Sequence, residues 1–199
     1  MNFQFHKEVK FENLIALIRP LLITDTDNLL TIATEDDTLV QFSPKPIHSK
    51  ELLTQYIEKA VADRESGQRY PFIIFDKTTN TYAGSTSFLN ISNANKKLEI
   101  GETWIGRGFH KTGLNRNCKY LLLSYAFDEL GAERVEFKTD ERNSASRKAI
   151  EGIGGQFEGI LRKDTIMIDG FRRSTAYYGI LRDEWETVKQ NFSKQNITA

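Results

Sequence analysis

The chain has 199 residues, enough for one domain with a substantial core or for two very small ones. Lysine plus arginine and aspartate plus glutamate both total 27, so the formal net charge is zero and no overall field attracts nucleic acid or an anionic membrane. The single cysteine, Cys118, excludes an intramolecular disulfide and a multi-cysteine metal site. No segment is apolar over the length that a membrane span needs, and the N-terminus lacks the apolar stretch of a secretion signal. We therefore expect one domain over residues 1–199, in the cytoplasm.

The first half of the chain predicts one strand, two helices and then three strands. The apolar run Leu14–Leu22 suits a strand, and Thr24 or Asp25 can cap a helix that continues to about Thr34. Ser49 can cap a second helix that ends near Gly67. Turn-like links separate three further strand patterns and predict antiparallel hairpins over Tyr70–Phe75, Tyr82–Ser92 and Leu98–Ile105.

In the second half the hydrophobic period changes between helical and strand-like. Apolar residues recur at helical intervals from Leu114 to Tyr125, and Gly131 can end this helix. The remaining pattern predicts a strand, a helix and a closing hairpin, over Arg134–Thr139, Ser144–Ile153, Phe157–Ile168 and Ser174–Leu181. This order predicts a mixed sheet with packed helices, in which one crossover unit places a helix N-terminus at an edge or opening of the sheet.

The loop in that crossover unit has the composition of a phosphate-binding loop. It reads WIGRGFHKTGLNRNCK from Trp104 to Lys119, with Gly106, Gly108 and Gly113 permitting close approach of a ligand. The first amides of the following helix have no intrahelical partner, and a phosphate fits there. Three basic residues, Arg107, Lys111 and Arg116, add positive charge. A glycine-bearing turn with solvated basic residues would have the same composition, and the loop lacks the ending of a Walker motif.

The sequence resembles the GNAT superfamily of N-acetyltransferases, in particular the Rim-type branch that acetylates ribosomal-protein N-termini. Four segments in the order typical of the family carry the resemblance, namely Arg19–Asp27, Glu99–Asn115, Tyr125–Lys163 and Asp169–Trp185. The resemblance implies an α/β (α+β) GNAT acyl-CoA N-acyltransferase fold, with a mixed central sheet of about seven strands flanked by helices. It also implies direct transfer of an acetyl group from acetyl-CoA to an amine, without an acyl-enzyme.

The family's coenzyme A loop, Gln/Arg-x-x-Gly-x-Gly/Ala, aligns with residues 110–115. His110 stands where Gln or Arg is usual, Lys111 where many relatives have glycine, and Asn115 where a small residue is usual. Backbone amides do most of the binding in the family, so these departures change the detailed contacts first. The coenzyme-binding residues that the resemblance implies are Ile105, Arg107, His110, Lys111, Thr112, Gly113, Leu114, Asn115 and Asn143.

The resemblance also implies catalytic roles for Glu99 and Ser146. Glu99 matches the acidic position proposed as general base, and Ser146 matches a hydroxyl that protonates the departing thiolate. Glu102 or a water chain remains an alternative base; Glu102 lies on the opposite face from Glu99 unless a bulge interrupts the strand. Asn143 matches a contact to the pantetheine arm, although an asparagine at this place can simply cap the helix.

Other chemically active side chains have simpler interpretations. His110 aligns with the phosphate loop, which favours coenzyme contact or exposure over a role as base. Cys118 falls on an apolar helix stripe and is expected to be a packed thiol. One of Tyr177 and Tyr178 is expected to pack inward, and a role as acid is a weaker alternative. His6, His48 and His110 lack metal-ligand spacing, so no metal is expected.

The acceptor amine stays open at this level. At neutral pH about a tenth of an α-amino group with pKa near 8 is already neutral, against a few in ten thousand for a lysine amine with pKa near 10.4. A single glutamate therefore suits a protein N-terminus, while amino sugars, polyamines or antibiotics remain alternatives. A non-catalytic acyl-CoA-binding module and a nucleotide-binding protein that uses the glycine loop are the rival functions. The family contains monomers and homodimers.

Overall fold

The computed structural model describes residues 1–194 and residue 197, and its centre is one mixed sheet of eight strands. The strands are β1 (Phe11–Glu12), β2 (Ala16–Pro20), β3 (Arg69–Asp76), β4 (Thr81–Ser92), β5 (Lys97–Ile105), β6 (Arg134–Asp140), β7 (Gln156–Ile166) and β8 (Arg172–Leu181). The α-helices are α1 (Thr26–Thr34), α2 (Lys50–Glu65), α3 (Leu114–Ser124), α4 (Ser144–Gly152) and α5 (Trp185–Ser193). Short 3-10 turns precede α1 and follow β5, and a π-helical turn, Tyr125–Glu129, extends α3.

The strand order opens the sheet at one place. The strands lie in the order β1-β2-β3-β4-β5-β6-β8-β7, and every neighbouring pair is antiparallel except β5 and β6. This parallel pair is short, running only from Lys97 opposite Arg134 to Glu99 opposite Glu136. Beyond these positions β5 pairs only with β4, and β6 only with β8. A gap therefore separates Ile100–Ile105 from Phe137–Asp140.

Each face of the sheet carries its own buried cluster. On one face α3, α4 and α5 pack through residues such as Leu122, Ile150 and Trp185. On the other face α1 and α2 pack through Leu29 and Ile57 against the sheet. We call these the α3 face and the α1–α2 face. Because α3 and α4 begin just beyond the C-terminal ends of β5 and β6, both helix N-termini flank the mouth of the gap.

A β-bulge in β5 changes which side chains share a face. Pairing moves from Ser85 to Ser87 on β4 while it moves from Trp104 to Gly101 on β5, so β5 contains an extra residue. Glu102 adopts a left-handed backbone conformation there, with φ +48°. Of the two arrangements that the sequence left open, a regular strand and a bulged one, the structure has the bulged one. The bulge leaves both carboxylates on the α1–α2 face.

The predicted elements are confirmed, with small differences at their ends. The Ser49 hydroxyl caps α2 by accepting the Leu52 N–H at 3.2 Å, and Gly131 has the positive φ of a helix terminator. The sheet has one strand more than the expected seven, because the two-residue β1 is too short to produce a periodic pattern. Helix α5 was missed, although Trp185, Val188 and Phe192 recur at helical spacing and are buried. Among the described residues, no helix has the length and apolar character needed to span a bilayer.

Candidate active site

The loop that leads from β5 into α3 presents free backbone amides at the mouth of the gap. Two residues have left-handed conformations, Lys111 with φ +62° and Gly113 with φ +92°, and they turn the chain into the helix. The helical ladder starts when the Asn117 N–H donates to the Gly113 carbonyl at 3.0 Å. The amides of Asn115 and Arg116 therefore precede the ladder and carry the positive end of the helix dipole. A phosphate group is the ligand that such an arrangement favours.

Side chains of the same loop hold its shape. His110 is exposed, and its Nε2 lies 2.9 Å from the Ile105 carbonyl oxygen. Thr112 donates to the Phe109 carbonyl at 2.8 Å and accepts the Leu114 N–H at 3.3 Å. Leu114 itself is buried in the core of the α3 face. The hydroxyl and the imidazole thus hold the shape of the loop, and neither bonds to the amides of Asn115 and Arg116.

The predicted basic ring around this loop is only partly present. Arg107 forms an ion pair with Asp36 and donates to the Thr38 hydroxyl at 2.5 Å, in the segment between α1 and α2. Arg116 donates to the Gly152 carbonyl at the end of α4, and burial lowers its pKa. Lys111 is exposed at the mouth. Arg107 and Arg116 therefore also connect the loop to the segment between α1 and α2 and to α4.

Asn115 is one of the loop residues that have an unused polar group. Its amide oxygen Oδ1 is buried and has no hydrogen-bond partner among the described residues. The family's usual small residue would place no polar atom here. An acceptor oxygen without a donor costs free energy unless a ligand or water satisfies it, since buried polar groups are normally paired.

Glu99 lies at the closed end of the gap, at the last position where β5 and β6 pair. The residue is 6% exposed, and its Oε2 accepts from Asn90 Nδ2 at 2.7 Å and contacts Lys138 Nζ at 2.7 Å. Burial lowers the pKa of Lys138, but the hydrogen bond to Glu99 and the nearby negative charges together outweigh burial, and the net direction is upward. Gly101 leaves space next to the other oxygen, Oε1, because a Cβ at this position would lie only 2.9 Å from it.

Glu102 is engaged by two cations on the same face. Arg69, which is almost fully buried, approaches Glu102 Oε2 at 2.5 Å, and Lys45 forms a second ion pair with the carboxylate. Arg69 also donates to the Tyr56 hydroxyl of α2 at 2.5 Å. Glu102 therefore connects the bulge to α2 and to the segment between α1 and α2.

The start of α4 brings Asn143 and Ser146 to the other side of the gap. Asn143 Oδ1 accepts the Ser146 N–H at 3.0 Å, so Asn143 is the N-cap that the simpler interpretation expected. This bond uses only its oxygen. Both residues are half-buried, and their helix α4 packs on the α3 face through Ile150, whereas Glu99 lies on the α1–α2 face. The two predicted catalytic residues thus approach the gap from opposite faces.

Tyr177 and Tyr178 divide as predicted, one inward and one outward. Tyr178 is fully buried, and its hydroxyl contacts Arg147 Nε at 2.8 Å and Glu151 Oε1 at 3.0 Å. Tyr177 is half-buried, with the Lys138 ammonium 5.1 Å from its ring centre, close to the Glu99 ion pair. Burial raises the pKa of both phenols.

Two further findings concern groups with other chemistry. Cys118 is buried on α3, as predicted, and burial raises the pKa of its thiol to about 12. Across residues 1–194 and 197, no cluster of three or more His, Cys, Asp or Glu side chains could hold a metal ion.

Sequence reasoning missed Lys119 and the segment 35–49. Lys119 is buried on α3 and donates to Thr103 of the β5 bulge. Its only signal was a lysine inside an otherwise apolar stretch. The segment 35–49 reaches the hairpin side of the site, where the Phe42 carbonyl accepts from Arg173 at 2.6 Å. No periodicity marks these contacts, because their partners are distant in sequence.

Comparisons with known proteins place this chain in a family. The sequence profile of the family described as "Acetyltransferase (GNAT) domain" matches residues 16–156. The chain is similar to the Bacillus subtilis protein YdaF, provisionally named a ribosomal N-acetyltransferase, with 36% identity over 106 residues. That match covers 53% of this chain and 57% of YdaF, so it spans little more than half of the relative.

Solved structures extend the similarity over most of the chain. A GCN5-related N-acetyltransferase from Brucella melitensis superposes with a TM-score of 0.88 at 25% identity, over 96% of this chain and 86% of that one. RimJ of Mycobacterium smegmatis, in complex with CoA-disulfide, shares the fold with a TM-score of 0.76 at 17% identity, over 96% of this chain and 94% of that one. The expected fold is confirmed, and the chain belongs to the GNAT family of acetyltransferases.

Proposed function

We propose that this chain transfers an acetyl group from acetyl-CoA directly to a primary amine. The observation that carries the proposal is the gap between β5 and β6, with two helix N-termini at its mouth and the carboxylate of Glu99 at its closed end. Free amides at the mouth suit a pyrophosphate, and a gap in the sheet suits an extended arm. Family membership and the coenzyme in RimJ support acetyl-CoA as the donor.

In this mechanism Glu99 accepts the proton of the amine, directly or through water. Its Oε2 is held by Asn90 and Lys138, while Gly101 leaves room beside Oε1 for an incoming group. Glu102 is the weaker candidate, because Arg69 and Lys45 both engage its carboxylate. Ser146 enters from the opposite face and protonates the departing thiolate. General acid–base catalysis of this kind contributes on the order of 10²- to 10⁴-fold.

The coenzyme contacts that we propose are those that the sequence predicts. Backbone amides of the loop bind the pyrophosphate, Lys111 adds an exposed charge, and the Nδ2 of Asn143 is available for the pantetheine arm. The unpaired Oδ1 of Asn115 supports a role for that residue too. The remaining proposed contacts are Ile105, Arg107, His110, Thr112, Gly113 and Leu114.

We infer that the acceptor is an α-amino group, such as a protein N-terminus. The provisional name of YdaF supports a ribosomal protein. A carboxylate base also suits this amine, because its pKa of about 8 leaves a usable neutral fraction. The alternatives are a small-molecule amine and a non-catalytic acyl-CoA-binding role. We further propose a single domain that acts in the cytoplasm, without metal, nucleic acid or membrane.

The test is release of free coenzyme A thiol from acetyl-CoA in the presence of different amines. Peptides with varied N-termini are compared with free amino acids, polyamines and aminoglycosides. Glu99→Gln is expected to lower kcat by about 100-fold or more while leaving acetyl-CoA affinity unchanged, and Ser146→Ala to lower kcat. Glu186→Gln, at an exposed position on α5, is the control.

Two results would reject the proposal. Binding of acetyl-CoA without thiol release with any amine would favour the non-catalytic module. Thermal stabilisation by ATP or NAD but not by acetyl-CoA would favour the nucleotide-binding rival.

A further inference from the structure

A donor-rich polar cluster lies on the α3 face beside the β5 bulge. Lys119 of α3 is 6% exposed, and its Nζ donates to Thr103 Oγ1 at 2.6 Å and to Thr86 Oγ1 at 3.4 Å. The two hydroxyl oxygens lie 2.8 Å apart. Among the described residues no carboxylate pairs with Lys119. An isolated buried charge of this kind is costly, so its retention requires a reason.

This cluster has more hydrogen-bond donors than its own contacts can use. An ammonium has three N–H donors and no acceptor, and each threonine hydroxyl has one donor. The three contacts use two N–H groups of Lys119 and one hydroxyl hydrogen. One N–H and one O–H are therefore left without an acceptor inside the cluster.

Burial decides which hydroxyl hydrogen is left over. Thr86 is fully buried and has no other acceptor among the described residues, whereas Thr103 is exposed. If Thr103 donated to Thr86, the Thr86 O–H would be buried without a partner, which costs more than leaving an exposed one. The favoured arrangement has Thr86 donating to Thr103. The Thr103 oxygen then accepts from both neighbours, and its own hydrogen points outward.

Thr103 lies on the stretch of β5 that borders the gap. At this position β5 has already separated from β6, and the bulge at Glu102 carries Thr103 to the α3 face. The start of α4, with Asn143, lies on this same face. An acceptor oxygen that enters the gap would find the Thr103 hydroxyl already oriented to donate a hydrogen bond.

Resting on the proposed function, we propose that Thr103 donates a hydrogen bond to a carbonyl oxygen of the acyl-CoA arm. In this arrangement Lys119 and Thr86 are positioning residues that fix the direction of the Thr103 hydroxyl. The carbonyl is either that of the thioester or an amide carbonyl of the pantetheine chain. A hydrogen bond to the thioester carbonyl would also polarise it toward attack.

Calorimetric titration with acetyl-CoA and with free coenzyme A tests the proposal. Thr103→Val preserves shape at an exposed position and is expected to weaken binding by about tenfold, while Thr103→Ser keeps wild-type affinity. Ser85→Ala removes a buried hydroxyl on the neighbouring strand β4, one that donates to the Phe72 carbonyl, and serves as the matched control, with affinity unchanged. Weakening for acetyl-CoA alone identifies the thioester carbonyl, and equal weakening for both ligands identifies a pantetheine amide.

The positioning role is tested by combining variants. Lys119→Met is expected to weaken the same ligand, and Lys119→Met with Thr103→Val to weaken it no further than Thr103→Val alone, because both act through one hydroxyl. Unchanged affinity of Thr103→Val for both ligands would overturn this inference alone. Failure of the wild-type chain to bind either ligand would instead overturn the proposed function, and this inference with it.

Discussion

The stability of this protein should rise with pH above neutrality because of Lys119. Burial lowers the pKa of its ammonium from 10.5 to about 8. Between these values the unfolded chain keeps its proton while the folded chain has released it, and stability increases wherever the unfolded state binds more protons. This lowering of the pKa corresponds to about 3.4 kcal/mol of stability, of which about 2.5 kcal/mol develops between pH 7 and pH 10.

This effect can be measured by urea unfolding of the wild-type chain and of Lys119→Met. Unfolding is followed by tryptophan fluorescence at pH 7, 8, 9 and 10. The free energy of unfolding of wild type minus that of the variant should become more positive with pH, because other titrating groups cancel in the difference. Lys189→Met is the control. Burial lowers the pKa of Lys189, but the hydrogen bond with Asp128 and the charges of Asp128 and Glu186 together outweigh burial and raise it, so the difference between wild type and this variant should stay flat up to pH 10. A constant offset for Lys119→Met at all four pH values would refute the reasoning.

Three other perturbations give separate outcomes. Gly84→Ala places a Cβ 2.1 Å from the Trp104 carbonyl oxygen at φ +153°, so it should lower the free energy of unfolding by on the order of 3 kcal/mol. The control is Gly108→Ala, where the added Cβ meets no atom within 4 Å. Equal thermal unfolding temperatures for the two variants would contradict this prediction. Gly113→Ala should lower the free energy of unfolding by about 1 kcal/mol, because this position has a positive φ. Gly113→Glu should in addition weaken acetyl-CoA binding at least tenfold, measured by calorimetry. Equal affinities of the two variants for acetyl-CoA would exclude a phosphate at this loop. Cys118, with its pKa raised to about 12 by burial, should resist iodoacetamide at pH 8 until urea unfolds the chain; rapid alkylation of the native protein would show that the thiol is accessible.

The regular parts of the fold were predictable because their signals are local. Hydrophobic period, capping residues and turn composition identify α2, the β3–β5 hairpins and the crossover through α3. The glycine loop was predictable for the same reason, since its amides follow from where a helix begins. Helix α5 could have been found from the spacing of its buried residues.

What escaped prediction depends on contacts between distant residues. The ion pair of Lys45 with Glu102 joins residues 57 positions apart, and nothing near either residue indicates the other. The bulge that moves Glu102 to the face of Glu99 is set by pairing with β4, not by local propensity. The hydroxyl that Lys119 holds at Thr103 likewise depends on how α3 lies against the sheet. Alternation along a single strand cannot predict these arrangements.

The short seam between β5 and β6 has a mechanical consequence. The two halves of the sheet, β1–β5 and β6–β8, share only the ladder from Lys97 to Glu99, so this seam should be a compliant hinge within the sheet. A ligand arm lying in the gap would connect both halves by hydrogen bonding to backbone groups of β5 and β6 that no neighbouring strand pairs with. Rigidity of the sheet would then follow coenzyme concentration, and the loaded protein would be stiffer as well as more heat-resistant than the empty one.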